Sequence, residues 1–177
     1  MKGRLFVALL FGLSGAVSYG ELWLWQDRPV TLWLGGVPFG ILAACLFART
    51  LQAGSFLVIL FGLVWAASVE TAIFLIGDHA WNSYIGMALA GLVGGFGVAA
   101  STGISYRSLL SARSLVLVTI TGGVLALPFG YWEQKNADLP SSHVLGIACF
   151  VLWQAAVGTF LFNLCTESSE SQAVPLP

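Results

Sequence analysis

Charged side chains are scarce in this chain. Only 8% of its 177 residues are Asp, Glu, Lys or Arg, whereas 58% are hydrophobic, and the mean hydropathy is +0.88. Soluble domains carry about 25% charged residues, so this composition excludes an ordinary soluble enzyme or binding domain. The chain is predicted to be an all-α, polytopic membrane protein whose first partner is the lipid bilayer.

Cysteine is scarcer still. Cys45, Cys149 and Cys165 fall within or at the ends of apolar segments, and they form no Cys-x-x-Cys pair. A membrane thiol oxidoreductase is therefore disfavoured, and the three cysteines are interpreted as small core residues.

Only two histidines are present, and both fall at predicted outer ends of spans, too shallow to hold a haem between helices. A surface metal site is the alternative to ordinary solvated side chains, since imidazole and carboxylate groups are common ligands. Its residues would be Asp78, His79, Glu133, Asp138 and His143. We favour the solvated interpretation and expect neither a metal nor a cofactor.

Two short motifs of known membrane proteins are missing as well. The sequence has no paired Asn-Pro-Ala and no aspartyl dyad motif. One acid within a span, without a nucleophile or a metal set, makes a poor active site. We do not expect an enzyme, and we expect no nucleic-acid partner.

Six apolar segments long enough to cross a bilayer follow one another along the chain. They run from Leu5 to Trp25, Pro29 to Ala48, Leu51 to Gly77, Asn82 to Ile104, Ala112 to Trp132 and His143 to Cys165. Residues 1–165 are thus predicted to form one six-helix transmembrane domain. Residues 166–177 are predicted to be a disordered cytoplasmic tail, because serines, acids and prolines dominate there.

The first segment has an alternative interpretation. Lys2 and Arg4, the apolar stretch after them and Ala16-Val17-Ser18 resemble a secretory signal peptide. The apolar run continues past that point, through Leu22 to Trp25, which favours a spanning helix instead.

Basic residues fall mostly on one side of the six-span layout. Arg28 and Lys135 lie on the other side, which is rich in acids and would concentrate cations. The alternative is that orientation alone produces this asymmetry. By the positive-inside rule both termini are predicted to be cytoplasmic and the protein to lie in the cell membrane. The five basic residues on the inner side are Lys2, Arg4, Arg49, Arg107 and Arg113.

Two stretches of the chain resemble each other. Val64–Ile76 aligns with Leu152–Leu164 without gaps, and five of thirteen positions are identical. This match indicates two halves, 1–80 and 81–165, and because each half has three spans the second would be inverted relative to the first, as in many transporters. The alternative is a chance match within a biased composition.

Small residues recur every four positions in the first and fourth spans. Such stripes allow close backbone packing, so these two helices are predicted to pack centrally or against each other. The alternative is an outward face that binds a second copy or the subunits of a larger membrane complex. The stripes are Ala8, Gly12, Ala16, Gly20 and Gly91, Gly95, Ala99, Gly103.

Glu70 lies well inside the third predicted span, and Glu21 lies at a similar depth in the first, so the two are a candidate carboxylate pair. A charged side chain at the centre of a spanning helix costs about 3 kcal/mol, so such a residue is a candidate site. Gly62 and Ala66, eight and four residues earlier, suggest that Glu70 faces a neighbouring helix. A cavity lined by predicted substrate-binding residues follows, and the alternative is a buried hydrogen bond that ties helices together. The predicted residues are Glu70, Glu21, Gln154, Trp65, Trp153 and Thr71.

The sequence is compatible with two functions. The first is a small transporter or channel for a cation or a small polar solute, proton-coupled through Glu70. The second is a non-catalytic structural or assembly subunit of a larger membrane complex.

Overall fold

The computed structural model describes residues 2–24, 34–48, 50–78, 82–134 and 140–172, and every regular element among them is helical. Only the backbone is described for 2, 22–24, 77–78, 108, 140–142 and 168–172. A π-helical segment, Ile73–Asp78, continues the third helix, and a short 3-10 helix, Arg107–Leu110, precedes the fifth. The six α-helices are α1 Lys2–Leu24, α2 Val37–Phe47, α3 Leu51–Ala72, α4 Ser83–Gly103, α5 Ala112–Gln134 and α6 Pro140–Gln172.

Five segments are long and apolar enough to cross a membrane. They are Gly3–Glu21, Leu51–Ile76, Ser83–Gly103, Ala112–Gln134 and His143–Glu167. These are the helices of a multi-pass membrane protein.

The second predicted span is described only in part. α2 has 11 residues, so it is roughly 16 Å long, whereas the hydrocarbon core is about 30 Å thick. It begins beside Gly35 and Gly36, with Pro38 in its first turn. The rest of the predicted span, 29–33, lies outside the described residues, and a sixth crossing stays a prediction.

The helices form a ring that follows the chain order. Each of α1 to α5 packs against the next helix, and α6 returns to pack against α1. The glycine-striped helices α1 and α4 therefore do not pair: α1 packs chiefly on α6, and α4 chiefly on α5. The expectation that α1 and α4 pack against each other is wrong, because the small residues of each helix contact a different neighbour.

Backbone contact replaces side-chain contact between α4 and α5. A Cβ atom added to Gly122 would lie 2.5 Å from the Gly91 carbonyl oxygen and 2.9 Å from the Gly95 Cα atom. On the α1–α6 side, a Cβ atom on Gly15 would lie 2.5 Å from the Phe150 carbonyl oxygen. The α4 stripe is thus used for packing inside this chain, whereas in the α1 stripe Gly12 contacts α6 and Gly20 has nothing within 4 Å of an added Cβ atom.

One end of the bundle is filled by apolar side chains from all six helices. We call it the packed end; it carries the first residues of α1 and the last of α2 and α4. Phe11 is fully buried there, and its ring centroid lies 4.7 Å from that of Phe39. The cluster comprises Val7, Phe11, Phe39, Ala43, Phe47, Leu57, Phe61, Val98, Ala99, Leu109, Val118, Val157, Leu161 and Cys165.

The last helix is longer than predicted. α6 continues to Gln172, so residues 166–172 of the predicted disordered tail are helical, whereas 173–177 lie outside the described residues. Acids and serines lower helix propensity only slightly, and the Thr166 hydroxyl donates a hydrogen bond back to the Phe162 or Asn163 carbonyl. The first proline after the span comes only at Pro175.

Candidate ligand cavity

A cavity of about 360 Å³ lies at the opposite end of the bundle, between α3, α4, α5 and α6. We call this the cavity end. Its volume lies within the range of small-molecule sites. Its lining includes three tryptophans, two phenylalanines and several small or aliphatic residues. The main side chains are Trp65, Ser68, Ala72, Met87, Phe129, Trp132, Glu133, Phe150, Trp153 and Gln154.

Phe150 is the centre of the aromatic wall. Its ring centroid lies 5.2 Å from that of Trp65 and 5.1 Å from that of Phe129. Tyr19 of α1 packs behind it at 5.5 Å, and Trp132 packs against Tyr19 at 6.1 Å. Aromatic pairs at these separations stabilise one another, so the wall is a connected unit rather than a set of independent side chains.

The indole N–H groups are not presented to the cavity. Trp153 Nε1 donates a hydrogen bond to the Gly122 carbonyl oxygen at 3.0 Å. The Nε1 atoms of Trp65 and Trp132 are buried without an acceptor among the described residues. A Cβ atom added to Gly146 would lie 3.1 Å from Trp132 Nε1, so this indole edge lies against a glycine. The wall therefore presents mainly ring carbon.

Gln154 stands at the inner limit of the cavity and joins α6 to α1. Its Oε1 atom accepts a hydrogen bond from the Ser14 hydroxyl at 2.6 Å, and its Nε2 atom donates to the Ser18 hydroxyl at 2.9 Å. The side chain is only 1% exposed. Its amide is thus committed to helix pairing, as expected for a polar group in a membrane bundle.

Ser14 belongs to a Gly-x-Ser-Gly segment, Gly12 to Gly15, a pattern found around the nucleophile of intramembrane serine proteases. Sequence reasoning passed over it. The Ser14 hydroxyl lies within hydrogen-bond distance of the Phe11 carbonyl oxygen and of Gln154 Oε1. Neither group is a base strong enough to activate a nucleophile, so the segment serves α1–α6 packing in this structure.

Glu133 is the one charged side chain among the described residues that line the cavity. It is exposed and is the penultimate residue of α5, which sets it at the rim. Ser68, the remaining polar side chain of the lining, donates its hydrogen bond to the Val64 carbonyl oxygen of its own helix. The cavity is therefore aromatic, with a single carboxylate at its edge.

Two helix irregularities flank the cavity. Ile73 and Ile76 belong both to its lining and to the π-helical segment. Pro128 lies inside α5, directly before the lining residue Phe129. Single π-helical turns recur at functional sites, and a proline removes one backbone hydrogen bond of its helix. Both are features that permit local change in the cavity wall.

Three of the six predicted site residues lie in this wall: Trp65, Trp153 and Gln154. Thr71 does not line it, and its hydroxyl donates to the Ala67 carbonyl oxygen at 2.7 Å. Glu21 is half-buried on α1, where its Oε2 atom is buried without a hydrogen-bond partner among the described residues.

Glu70 points the other way from the prediction. It is exposed on the outer face of α3 and is not part of the cavity lining. Four and eight residues of helix correspond to rotations of about 40° and 80°, so Ala66 and Gly62 stand well to one side of it. By the same count Leu63 and Ala67 lie about 20° and 60° to the opposite side of Glu70, and both are exposed. Since Glu21 is on α1, the predicted pair of carboxylates does not form one site.

Sequence reasoning missed most of the cavity wall. Trp132 is the last residue of the fifth predicted span, and Phe129 and Phe150 carry no signal beyond their apolar character. One signal was present: Phe129, Trp132 and Glu133 are spaced three and four residues apart, which sets them on one helix face.

The alternative metal site is only partly within the described residues, since His79 and Asp138 are not among them. In the described part of the chain, no three His, Cys, Asp or Glu side chains group closely enough to hold a metal ion. His143 Nδ1 lies 2.7 Å from the Tyr19 hydroxyl.

Comparison with known proteins adds no family. No family model, curated protein or solved structure matches this chain. Its function has to be argued from its own residues.

Proposed function

We propose that the protein is a small membrane transporter that binds an organic cation of largely apolar character in the cavity. The observation that carries this proposal is the combination of an aromatic wall with a single carboxylate at the rim. Aromatic rings attract cations through their negative faces, and quaternary ammonium groups are recognised in this way.

The chemistry of the lining argues against other ligands. No lysine or arginine lines the cavity among the described residues, so an anion finds no partner there. A strongly polar solute would lose hydrogen bonds to water, because Ser68 and Gln154 already use theirs within the protein. An apolar cation keeps most of its favourable interactions, since it is weakly hydrated and gains contact with ring faces.

The proposal also changes the role of the acids. Glu133 is at the rim of the cavity, whereas Glu70 is exposed on the far side of α3. Glu133 is therefore the carboxylate that we assign to attracting the cation. Proton coupling through Glu70 would require it to reach the cavity, and its position does not favour this.

Binding can be measured with two probes of matched shape, phenyltrimethylammonium and its neutral isostere tert-butylbenzene. Tryptophan fluorescence of the protein in lipid nanodiscs should change saturably with the cation, with empty nanodiscs as the reference for partitioning. We expect Glu133→Gln to weaken binding about fivefold, as for the loss of one exposed charge pair.

Glu70→Gln is the matched control, because it makes the same chemical change outside the cavity. It should leave cation affinity unchanged. In proteoliposomes, the same cation should produce a current on a solid-supported membrane. If neither saturable binding nor a current is observed, the transporter proposal is wrong. If Glu70→Gln loses cation binding and Glu133→Gln does not, Glu70 is the carboxylate that attracts the cation.

Three topological features belong to the same proposal: a sixth crossing that includes α2, cytoplasmic termini in the cell membrane, and two inverted halves. The internal match between Val64–Ile76 and Leu152–Leu164 supports the last. Trp65 and Trp153, which occupy equivalent positions of the repeat, both line the cavity. Reporter fusions at the N-terminus and at the C-terminus should both report the cytoplasmic side, whereas five crossings would place them on opposite sides.

A structural or assembly subunit is the second candidate. One observation favours it: α3 is the least covered of the five spans, with 11% of its window buried, and it carries an exposed acid. Isolation in mild detergent would separate the two functions, because a subunit would copurify with other proteins in fixed proportion.

A further inference from the structure

The outer face of α3 has the features of a protein interface within the membrane. Between Phe56 and Glu70 its exposed residues recur every three or four positions and form one stripe. Four are apolar, as lipid contact would allow, and the last is an acid. The stripe is Phe56, Ile59, Leu63, Ala67 and Glu70.

The depth of Glu70 makes lipid an unsuitable neighbour. The span Leu51–Ile76 has its centre near Leu63, so Glu70 is about 10 Å from the centre, and the hydrocarbon layer extends to about 15 Å. A carboxyl group at this depth is stabilised by a hydrogen-bonding partner on another helix. The described part of this chain provides none on that face, because Glu70 is exposed there.

We infer that a second copy of this chain covers the stripe, with the two Glu70 side chains meeting across a two-fold axis normal to the membrane. Two copies inserted in the same orientation place their α3 helices parallel and in register at such an axis. Each Glu70 then meets its counterpart at the same depth. A carboxyl group is both donor and acceptor when it carries a proton, so the pair satisfies itself without any other protein.

The remainder of the chain is consistent with this choice of face. Gly91 and Gly95 of the α4 stripe contact α5, Gly12 of the α1 stripe contacts α6, and α2 packs on α1 and α3. Ala67 is a small residue next to Glu70 on the stripe, which lets two helices approach closely.

The association can be measured by subunit exchange or photobleaching in liposomes at increasing dilution. Glu70→Ala should weaken dimerisation about tenfold, the effect of one interhelical polar contact, while Glu70→Gln should retain it because an amide pair makes equivalent hydrogen bonds. Ile120→Ala, an exposed position of α5, is the matched control and should have no effect.

Cysteine cross-linking tests the face itself. The background is Cys45→Ser, since Cys45 is exposed, whereas Cys149 and Cys165 are buried. Leu63→Cys should form a disulfide-linked dimer in the membrane, and Leu117→Cys on α5 should not. A protein that remains monomeric at all densities overturns the inference, as does a stripe that cross-links only to a different protein. Neither result bears on ligand binding, which is measured separately.

Discussion

The two ends of this bundle use the same kinds of residues for opposite purposes. At the packed end, aromatic rings such as Phe11 and Phe39 fill the space between helices. At the cavity end, Phe129, Phe150 and Trp153 surround a space of about 360 Å³. The difference is therefore not composition but whether neighbouring helices leave room between their side chains.

Close contact between α4 and α5 is common to both ends. Gly95 brings α4 into backbone contact with α5 beside the packed end, and Gly130 does the same against Tyr84 at the cavity end. The cavity end differs because α3, α4, α5 and α6 leave a space that side chains of all four helices line. A membrane bundle gains little from burying apolar surface, so close packing in one half stabilises the fold while the other half stays hollow.

Replacement of a single glycine should have the largest effect. In Gly95→Ala the new Cβ atom would lie 2.6 Å from the Val118 carbonyl oxygen and 3.1 Å from the Thr119 Cα atom, so α4 and α5 must separate. We expect the free energy of unfolding in mixed micelles to fall by about 3 kcal/mol. Gly20→Ala is the control at the cavity end, because nothing lies within 4 Å of its added Cβ atom. Equal losses of unfolding free energy in Gly95→Ala and Gly20→Ala would contradict the difference between closely packed and open positions.

Removing one aromatic ring from each end should have unequal effects. Phe11→Ala leaves a void among fully buried neighbours and should cost about 3 kcal/mol of unfolding free energy. Phe129→Ala only enlarges a cavity that already exists, so its cost should stay near 1 kcal/mol or below. Thermal unfolding of the two variants in the same detergent measures both losses of stability. A greater loss in Phe129→Ala than in Phe11→Ala would contradict the comparison between the ends.

The smallest effect on stability is expected for Gln154, which lies between the packed end and the cavity end. Gln154→Leu removes the hydrogen bonds to Ser14 and Ser18 and should lower the free energy of unfolding by about 1 kcal/mol. Cation affinity should change little, because the amide is already bonded within the protein. Ser68→Ala is the control, since that hydroxyl bonds only to its own helix. A large loss of affinity in Gln154→Leu would show that the amide contacts the ligand.

The positions of the helices could be read from the sequence, because a spanning segment needs about twenty apolar residues. The predicted fourth span, Asn82 to Ile104, differs from α4 by one residue at each end. The glycine stripes correctly indicated close packing but not which helix would be the partner. A stripe of small residues indicates that a neighbouring helix can approach closely, but it does not indicate which helix that is.

Which side of each helix faces the protein interior was harder to predict, for a physical reason. In a soluble helix the buried face is apolar and the exposed face is polar, whereas here both lipid and core are apolar. The positions of Gly62 and Ala66 therefore predict an interior Glu70, and Glu70 is exposed. Trp132, the last residue of the fifth predicted span, lines the cavity.

The cavity could be predicted only through the internal match, which singled out Trp65 and Trp153. Much of the rest of its wall comes from α4 and α5, whose contributions depend on how the ring of helices closes. Met87 of α4 has no pattern in common with Phe129 and Glu133 of α5. Their proximity is a property of the tertiary fold.

The most direct test of the account is to fill the cavity and measure cation binding. Ala72 is 8% exposed and lines the cavity from α3, so Ala72→Phe should occupy the space without crowding the packed end. We predict saturable phenyltrimethylammonium binding by the unaltered protein, and a loss of at least tenfold in the variant with an unchanged helical circular dichroism spectrum. Equal binding by both proteins would contradict the account.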